Sequence, residues 1–465
     1  MPVKSATKTK MPERAPNVRN KDFLEVNQGY TLRHAMFEAD RCLRCQEPKC
    51  VDECPVNIPI PQFIYAIAKG DLAESARIMR QANPLPAICG RVCPQESQCE
   101  MTCHMVKRFQ PVAIGHLERF IADWERSQPP PPVPQRTMRK EKVAVIGAGP
   151  AGLVCAGELG RMGYPVTIFE GLHAPGGVLR YGIPEFRLPK AILDWEIGMM
   201  KHLGVEIVTN VIVGRTITLD DIMDKLGYSA AFIGTGAGLP QFLKIPGENL
   251  MGVYSANEFL TRINLMRAYQ FPEADTPLKV GKRVATIGAG NTAMDSARSA
   301  MRMGAEESLI VYRRSDKEMT ARVEEYHHAL EEGIKFNWLT APIEVIGNDQ
   351  GWVTGLKLQR MKLGEPDASG RARPVPIPGS EFIFPADNVV LAIGTSPNPI
   401  LVKTTKGLET NKHGCLVADE KSGLTSRKRV YAGGDAVTGA ATVILAAGAG
   451  KRAAEAIHKE LGGGK

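Results

Sequence analysis

Eight of the ten cysteines lie between Cys42 and Cys103, in two short runs. The first is Cys42-x2-Cys45-x4-Cys50-x3-Cys54, closed by Pro55. The second is Cys89-x3-Cys93-x5-Cys99-x3-Cys103. Such thiols can pair as disulfides, hold zinc, or ligate iron–sulfur clusters. Structural zinc usually takes two close pairs separated by a longer loop. Runs with several short gaps and a trailing Cys-Pro follow the ferredoxin pattern, in which the last cysteine serves the other cluster. Soft anionic sulfur also suits a mix of ferric and ferrous iron. The runs therefore predict two [4Fe–4S] clusters. The N-terminal stretch MPVKSATKTKMPERAP is basic with no apolar segment behind it, so it is not a secretory signal. A reducing, cytoplasmic setting follows, and it disfavours disulfides. Cys155 and Cys415 stand alone and read as small buried hydrophobes.

A second kind of chemistry sits further on. In KVAVIGAGPAGLVCAGELGRMGYPVTIFE (142–170), Gly147, Gly149 and Gly152 follow an apolar strand and open a helix, with Pro150 and Ala151 between them. The first glycine permits a tight turn, the second lets backbone approach a pyrophosphate, and the third lets helix and strand pack closely. The helix N-terminus then faces the phosphate charge. Glu170 ends the second strand, where a carboxylate accepts hydrogen bonds from ribose hydroxyls. The unit recurs as RVATIGAGNTAMDSARSAMRMGAEESLIVYRR (283–314), an internal β-α-β duplication. Here Gly288 and Gly290 begin the turn, Asn291 and Thr292 follow, and Ala293 takes the third glycine's place. This copy ends in Tyr312-Arg313-Arg314 instead of an acid. Guanidinium groups clamp a 2′-phosphate that a carboxylate would repel, so this site suits NADP(H). Arg322 is a further candidate for the clamp.

The first unit, with its acid, fits NAD or FAD, and three downstream stretches favour FAD. PGGVLRYGIPEFRLPK (175–190) offers Gly176, Gly177 and Leu179; AAFIGTGAG (230–238) runs a strand into Gly236. AGGDAVTGA (432–440) places Gly434 and Asp435 after a strand, with Thr442 shortly behind. Asp435 there can bond a ribityl hydroxyl. In this order the stretches resemble the two-dinucleotide flavoprotein reductases, in which the NAD(P) domain is inserted into the FAD domain. Disulfide reductases of that group carry a redox cysteine pair after the first acid. No cysteine lies between Glu170 and Arg187, so flavin electrons must leave another way.

With the cysteine runs added, the chain resembles the small, electron-input subunit of glutamate synthase and the N-terminal half of dihydropyrimidine dehydrogenase. It is most similar to that subunit's shorter relatives. They include the large subunit of NADH-dependent ferredoxin:NADP oxidoreductase and chains described as homotetrameric glutamate synthase or sulfide dehydrogenase. CGRVCPQESQC and KVAVIGAGPAG carry the likeness, which spans almost all of residues 20–461. The resemblance implies crossed ligation. Cys42, Cys45, Cys50 and Cys103 would hold one cluster. Cys54, Cys93 and Cys99 would hold the other, with a non-cysteine fourth ligand. Glu118, in PVAIGHLERF (111–120), falls where dihydropyrimidine dehydrogenase uses a glutamine. His104 and His116 are rivals, and Cys89 is then a spare thiol.

The resemblance further implies that NADPH gives a hydride to flavin, and that FAD releases single electrons through the clusters. Cofactors carry that chemistry, so no side chain is named as catalytic. The expected partner is a second redox subunit: a glutamate synthase large subunit, or a ferredoxin- or NAD-linked flavoprotein. A ferredoxin:NADP transhydrogenase, bifurcating or not, and an electron-wiring subunit of a larger assembly are the alternatives. An oligomer or hetero-complex follows from each.

These residues need elements to position them. A chain of 465 residues exceeds one ordinary core, so roughly two to four domains are expected. No apolar run is long enough to cross a bilayer, and the net charge of +8 is too thinly spread to suggest nucleic acid. The fold class expected is α/β: a helical iron–sulfur domain, then two Rossmann-like dinucleotide domains. The expected divisions are a disordered tail at 1–19, a helical bis-[4Fe–4S] domain at 20–127 and a Pro-rich linker at 128–140. The FAD domain then opens at 141–280, is interrupted by an NADP(H) domain at 281–387, and resumes at 388–465.

Overall fold

The computed structural model describes residues 5–367 and 370–462. Its N-terminal third is helical. In the helix Ile60–Ala68, apolar residues at 60, 63, 64 and 67 fall on one face, and all four are buried. Asp71 starts the next helix, Leu72–Ala82, by accepting a bond from the Glu74 amide at 3.1 Å. Helices Pro86–Val92 and Ile114–Arg126 lie so close that a Cβ on Gly90 would sit 2.5 Å from the Arg119 amide nitrogen. A glycine is needed there. Residues 128–140 then run without helix or strand.

Two parallel five-stranded sheets follow. The first is ordered Val430–Ala432, Ala230–Ile233, Val143–Ile146, Val166–Phe169, Glu206–Val208. The second is ordered Val253–Ser255, Asn388–Leu391, Arg283–Ile287, Glu307–Val311, Lys335–Asn337. Each glycine turn leaves the central strand of its sheet, at the carboxyl end where open α/β sheets bind ligands. The long helix Val443–Glu460 covers the helix Pro150–Arg161. An antiparallel ribbon, Thr340–Gly347, Val353–Pro366 and Ala372–Pro385, hangs beside the second sheet.

Three expectations differ from this architecture. Strand Val253–Ser255, expected in the first lobe, pairs with Asn388–Leu391, and both belong to the second sheet. The second lobe therefore begins before 281 and ends after 387. The crossing points are marked by Leu239–Pro240 pairing antiparallel with Thr395–Ser396. NVVL is a fully buried strand, and nothing local says which sheet buries it. The third difference is the tail. Residues 1–4 lie outside the described residues, but 5–19 are held in place. The Thr9 amide donates to Glu38 at 2.7 Å, Met11 is buried, and Arg19 is only 1% exposed. Charge pairing and backbone bonds anchor this stretch, and composition does not report either.

Arg19 ends on Glu332 of the second lobe at 3.1 Å. Arg298 and Arg302 reach the same carboxylate at 2.8 and 2.7 Å. Burial would raise the Glu332 pKa, but the Arg298 and Arg302 guanidinium groups override it and hold it well below the usual carboxylate range. A depressed carboxylate contributes stability that is present above its unfolded pKa and lost as pH falls through the folded one. Removing one member of a buried charge set strands the others, at a cost of about 3–5 kcal/mol. Glu332→Ala should therefore lower the unfolding free energy measured in urea at neutral pH by an amount of that order, with a matching fall in the midpoint. Glu74→Ala, which breaks an exposed pair with Arg77, should leave the midpoint essentially unmoved.

Candidate redox site

The first dinucleotide turn is built on missing side chains. Gly147 has φ +99°, and a Cβ on it would meet Gly234 O at 2.6 Å. A Cβ on Gly152 would stand 1.9 Å from Gly147 O, so this glycine sets how closely helix meets strand. Gly149 differs, because nothing lies within 4 Å of its Cβ position. It borders open space at the helix N-terminus, where Pro150 begins the helix without an orphan N–H. Glu170 accepts from the Ala148 amide at 2.7 Å and the Leu172 amide at 2.9 Å, leaving lone pairs for a ribose.

Segment 175–190 folds onto this turn. The Gly176 amide donates to Ala148 O at 2.9 Å, and a Cβ on Gly177 would be 2.8 Å from Gly149 Cα. Leu179 is buried beneath. Gly434, at φ +66°, lies against the Ala151 methyl, with 3.0 Å to its built Cβ. Asp435 accepts from the Ala441 amide at 3.1 Å, and burial pushes its pKa up. Thr442 caps the last helix, and Gly236 faces open space. Burial, with Asp435 and Glu170 nearby, pushes Tyr181 up to about 12. Sequence reading gives no role to Tyr181 or to Lys190, although both lie in the quoted 175–190 stretch. Lys190 donates to the carbonyls of Ile183 and Leu188 at 2.6 and 2.9 Å. Burial pulls its pKa down to about 7.

The second turn repeats the scheme. Gly288 has φ +129°, and a Cβ on it would meet Ala392 O at 2.3 Å. A Cβ on Gly290 would be 3.3 Å from the Thr320 hydroxyl. The Asn291 side chain accepts from the Arg322 amide at 2.9 Å, and Thr292 continues the helix. The three expected arginines take three different places. Arg313 is exposed and its guanidinium has no partner among the described residues. Arg314 is buried, paired with Asp367, and donates to Ala372 O at 2.9 Å. Arg322 differs most from expectation. It reaches Arg91 O and Gln95 Oε1 at 3.0 Å each and Glu324 at 2.8 Å, with Glu96 at 3.5 Å. Its side chain joins the second lobe to the cysteine loops and is not brought beside Arg313. The intervening loop 315–321 folds back over the turn, which spacing alone does not show.

The cysteines form two nests. Cys42, Cys45, Cys50 and Cys103 line one pocket, walled by Leu43, Ile60 and Ile64. Burial, then the neighbouring Cys103, Cys42 and Cys45, push the Cys50 thiol up to about 12. The other nest gathers Cys54, Cys93, Cys99 and Glu118: burial raises the Cys54 and Cys99 thiols, the adjoining Cys89 raises Cys93, and the Glu118 charge adds to all three. Burial pushes Glu118 up to about 8, and Asn83 donates to it at 2.9 Å. Cys89 adjoins this nest, and its thiol faces Asn83 Oδ1 at 3.8 Å. Asn83 is a residue that sequence reading missed, for it carries no motif. Of the rivals, His104 lines the first pocket, and His116 is bonded to Tyr30 Oη at 3.0 Å. Neutral thiols that lose protons on metal binding fit an iron–sulfur donor set, since thiolate is the ligand.

Residues 141–454 match the family described as pyridine nucleotide-disulphide oxidoreductase, and residues 19–129 match dihydropyrimidine dehydrogenase domain II, 4Fe-4S cluster. The chain is 37% identical over 462 residues to the NADPH glutamate synthase small chain of Escherichia coli K12, covering 97% of this chain and 96% of that one. It is 38% identical over 442 residues to the NADPH-Fe(3+) oxidoreductase subunit beta of Geobacter sulfurreducens, covering 90% of this chain and 64% of that one. The fold is also that of Mycobacterium tuberculosis FprA in complex with NADPH, with TM-score 0.59 and 21% identity over 70% of this chain and 85% of that chain. Fold and site together define an NADP-dependent FAD and iron–sulfur oxidoreductase. Within that class, the chain belongs to the family of the NADPH glutamate synthase small chain.

The two glycines of the first turn should respond differently to substitution. Gly149→Val adds bulk only to open space, so the apo-protein should keep its melting temperature within a few degrees but purify without flavin absorbance. Gly152→Ala should lower both, because its methyl group collides with backbone.

Proposed function

We propose that this chain is an electron-input subunit of glutamate synthase type. It oxidises NADPH and delivers electrons through FAD and two [4Fe–4S] clusters to a partner redox subunit in the cytoplasm. The carrying observation is that one chain gathers two cysteine nests and two glycine turns of opposite charge character. One turn is served by Glu170 and the other by Arg313.

The chain's own residues bind and orient. Gly147, Gly149 and Gly152 admit a pyrophosphate to the first helix N-terminus, and Glu170 is placed for the ribose. Gly288 and Gly290 do the same for NADPH, with Arg313 free to meet its 2′-phosphate. Cys42, Cys45, Cys50 and Cys103 would hold one cluster, and Cys54, Cys93, Cys99 and Glu118 the other. When bound, these groups would supply hydride acceptance at the flavin and one-electron transfer at the clusters. Three of the first nest's neighbours on the surface, Leu43, Met101 and Val106, are exposed apolar side chains, which supports a partner docking there.

A second reading, an electron subunit for another acceptor, draws on relatives named NADPH-Fe(3+) oxidoreductase subunit beta and NADP(+)-dependent formate dehydrogenase subunit beta. Purifying the native complex and identifying its other chains separates the two readings.

Arg313→Glu should raise the KM for NADPH by about tenfold or more, equivalent to about 1.4 kcal/mol, while the KM for NADH moves little. Equal losses for both would discredit the clamp. Cys50→Ser should remove one cluster's iron and acid-labile sulfide yet keep NADPH-to-dye reduction. Loss of dye reduction with flavin still bound would place the clusters on the input side.

A further inference from the structure

The nest of Cys54, Cys93 and Cys99 has two neighbours able to give a fourth donor atom, and one buried side chain touches both. Asn83 follows the helix Leu72–Ala82 and is wholly buried. The backbone orients its amide group. The Leu85 amide donates to Asn83 Oδ1 at 3.0 Å, and a backbone N–H can only donate, so the side-chain oxygen must face it. Nδ2 is thereby turned toward Glu118 and donates to Oε1 at 2.9 Å. Asn83 is the one donor to that carboxylate among the described residues. The other lone pair of Oδ1 is left for the Cys89 sulfur at 3.8 Å, within reach of an S–H donor. Cys89 is wholly buried and lies beside the Cys93 thiol, one turn further along from it on the helix Pro86–Val92. Asn83 is also held in place from a third side. Lys451, on the helix Val443–Glu460, donates to Ala82 O at 2.9 Å and to Val56 O at 3.1 Å. The residue before Asn83 and the turn after Cys54 thus hang on one ammonium group.

We propose that Asn83 selects the fourth ligand of the second cluster: it presents the Glu118 carboxylate to the three cysteines and withholds the Cys89 sulfur. This rests on the reading that Cys54, Cys93, Cys99 and Glu118 hold a cluster. Asn83 is then a positioning residue, acting through Glu118 and Cys89. The chemistry of the two donors is what calls for a selector. Thiolate is the softer donor and the one that iron–sulfur iron prefers. Cys89 ligates only after its S–H gives up a proton, and the Asn83 carbonyl offers that S–H a hydrogen-bond partner instead. The carboxylate is held differently. One bond from Nδ2 to Oε1 orients it and leaves its second oxygen free to meet iron. Without Asn83, neither hold remains and sulfur displaces oxygen. One Fe–O bond breaks and one Fe–S bond forms. The Cys89 proton passes to the released carboxylate, and the iron keeps its oxidation state.

The test measures iron and acid-labile sulfide per chain, and the electron paramagnetic resonance signal of the reduced second cluster, on full-length protein purified without oxygen. Flavin absorbance and the first cluster's signal report the fold. Cys89→Ser alone should keep full iron. Glu118→Ala should lose about half of it, because Asn83 still withholds Cys89. Asn83→Ser removes the donor to Glu118 yet can still accept from the Leu85 amide. It should keep full iron with a changed signal from the second cluster. Adding Cys89→Ser to it should then remove about half the iron and sulfide. Asn83→Asp keeps the shape and the oxygen facing Leu85, and it takes the place of Asn83→Ser should that variant purify without flavin. An unchanged signal in the Asn83 variant overturns the proposal, as does full iron in the double variant. Loss of half the iron from the Asn83 variant while Cys89 is intact overturns it too. Loss of half the iron by Cys89→Ser alone, or full iron in Glu118→Ala, shows that the ligand set itself is wrong, and the reading beneath the proposal fails first.

Discussion

Glu332 is where separate stretches of chain meet. Arg19 from the N-terminal segment, and Arg298 and Arg302 from the helix Asn291–Arg302, place five N–H groups on its two oxygens. Charges taken out of water must be matched nearly completely, because a lone survivor costs more than the pair gains. The set continues through Glu325, which pairs with Arg298 and with Arg187 of the flavin-side segment, and Arg187 also meets Asp295 at 2.7 Å. One connected array of buried charge therefore spans the N-terminal strap, the dinucleotide helix and the segment that folds over the first turn. Such an array contributes specificity of arrangement. A tilt of the second lobe would unmatch several ions together.

The strap that carries Arg19 shows how this position is enforced from outside. Phe23 stacks on Tyr269 at 4.3 Å between ring centroids, and the Val26 amide donates to Phe186 O at 3.0 Å. Further along, Asn27 donates to Glu324, and Glu25 meets Arg91 and Arg119 of the helical region. A short extended stretch thus touches the helical region and both lobes. Beyond a few buried apolar side chains, it relies on backbone bonds and charges whose partners lie far along the chain.

That pattern explains what is legible in the sequence. The glycine turns are readable because part of their constraint is local: a Cβ at Gly152 would collide with Gly147 O of the same turn. The cysteine runs are readable because sulfur chemistry limits the options. Arg313 and Arg314 are readable as a pair but not as two different residues. What separates them is Asp367, 53 residues on from Arg314, and no periodicity announces a partner across a ribbon. Asn83 goes unread and Arg322 is misplaced for the same reason. Strands Val253–Ser255 and Asn388–Leu391 take their sheet from pairing that only the tertiary fold decides.

Arg322 ties the second lobe to the cysteine region. Its amide holds Asn291 at the mouth of the dinucleotide turn, and its guanidinium holds the carbonyl of Arg91 and the side chain of Gln95, on either side of Cys93. Gln95 in turn donates to Cys89 O at 3.3 Å. The second glycine turn and the loop around Cys93 are therefore joined through Arg322, and the Val323 amide adds a bond to Glu96 at 3.2 Å. Cys54 and Cys93 of the second nest are buried, while Cys99 of that nest and Cys42, Cys45, Cys50 and Cys103 of the first are half-buried. Two of the second nest's three cysteines are thus set deeper than the first nest's four, which line a pocket. A relay of the kind proposed takes electrons from a bound cofactor and gives them to another protein. It needs a rigid, water-poor interior where stations keep their spacing, and one station within reach of a partner. The buried charges suit the first requirement and the half-buried thiols the second.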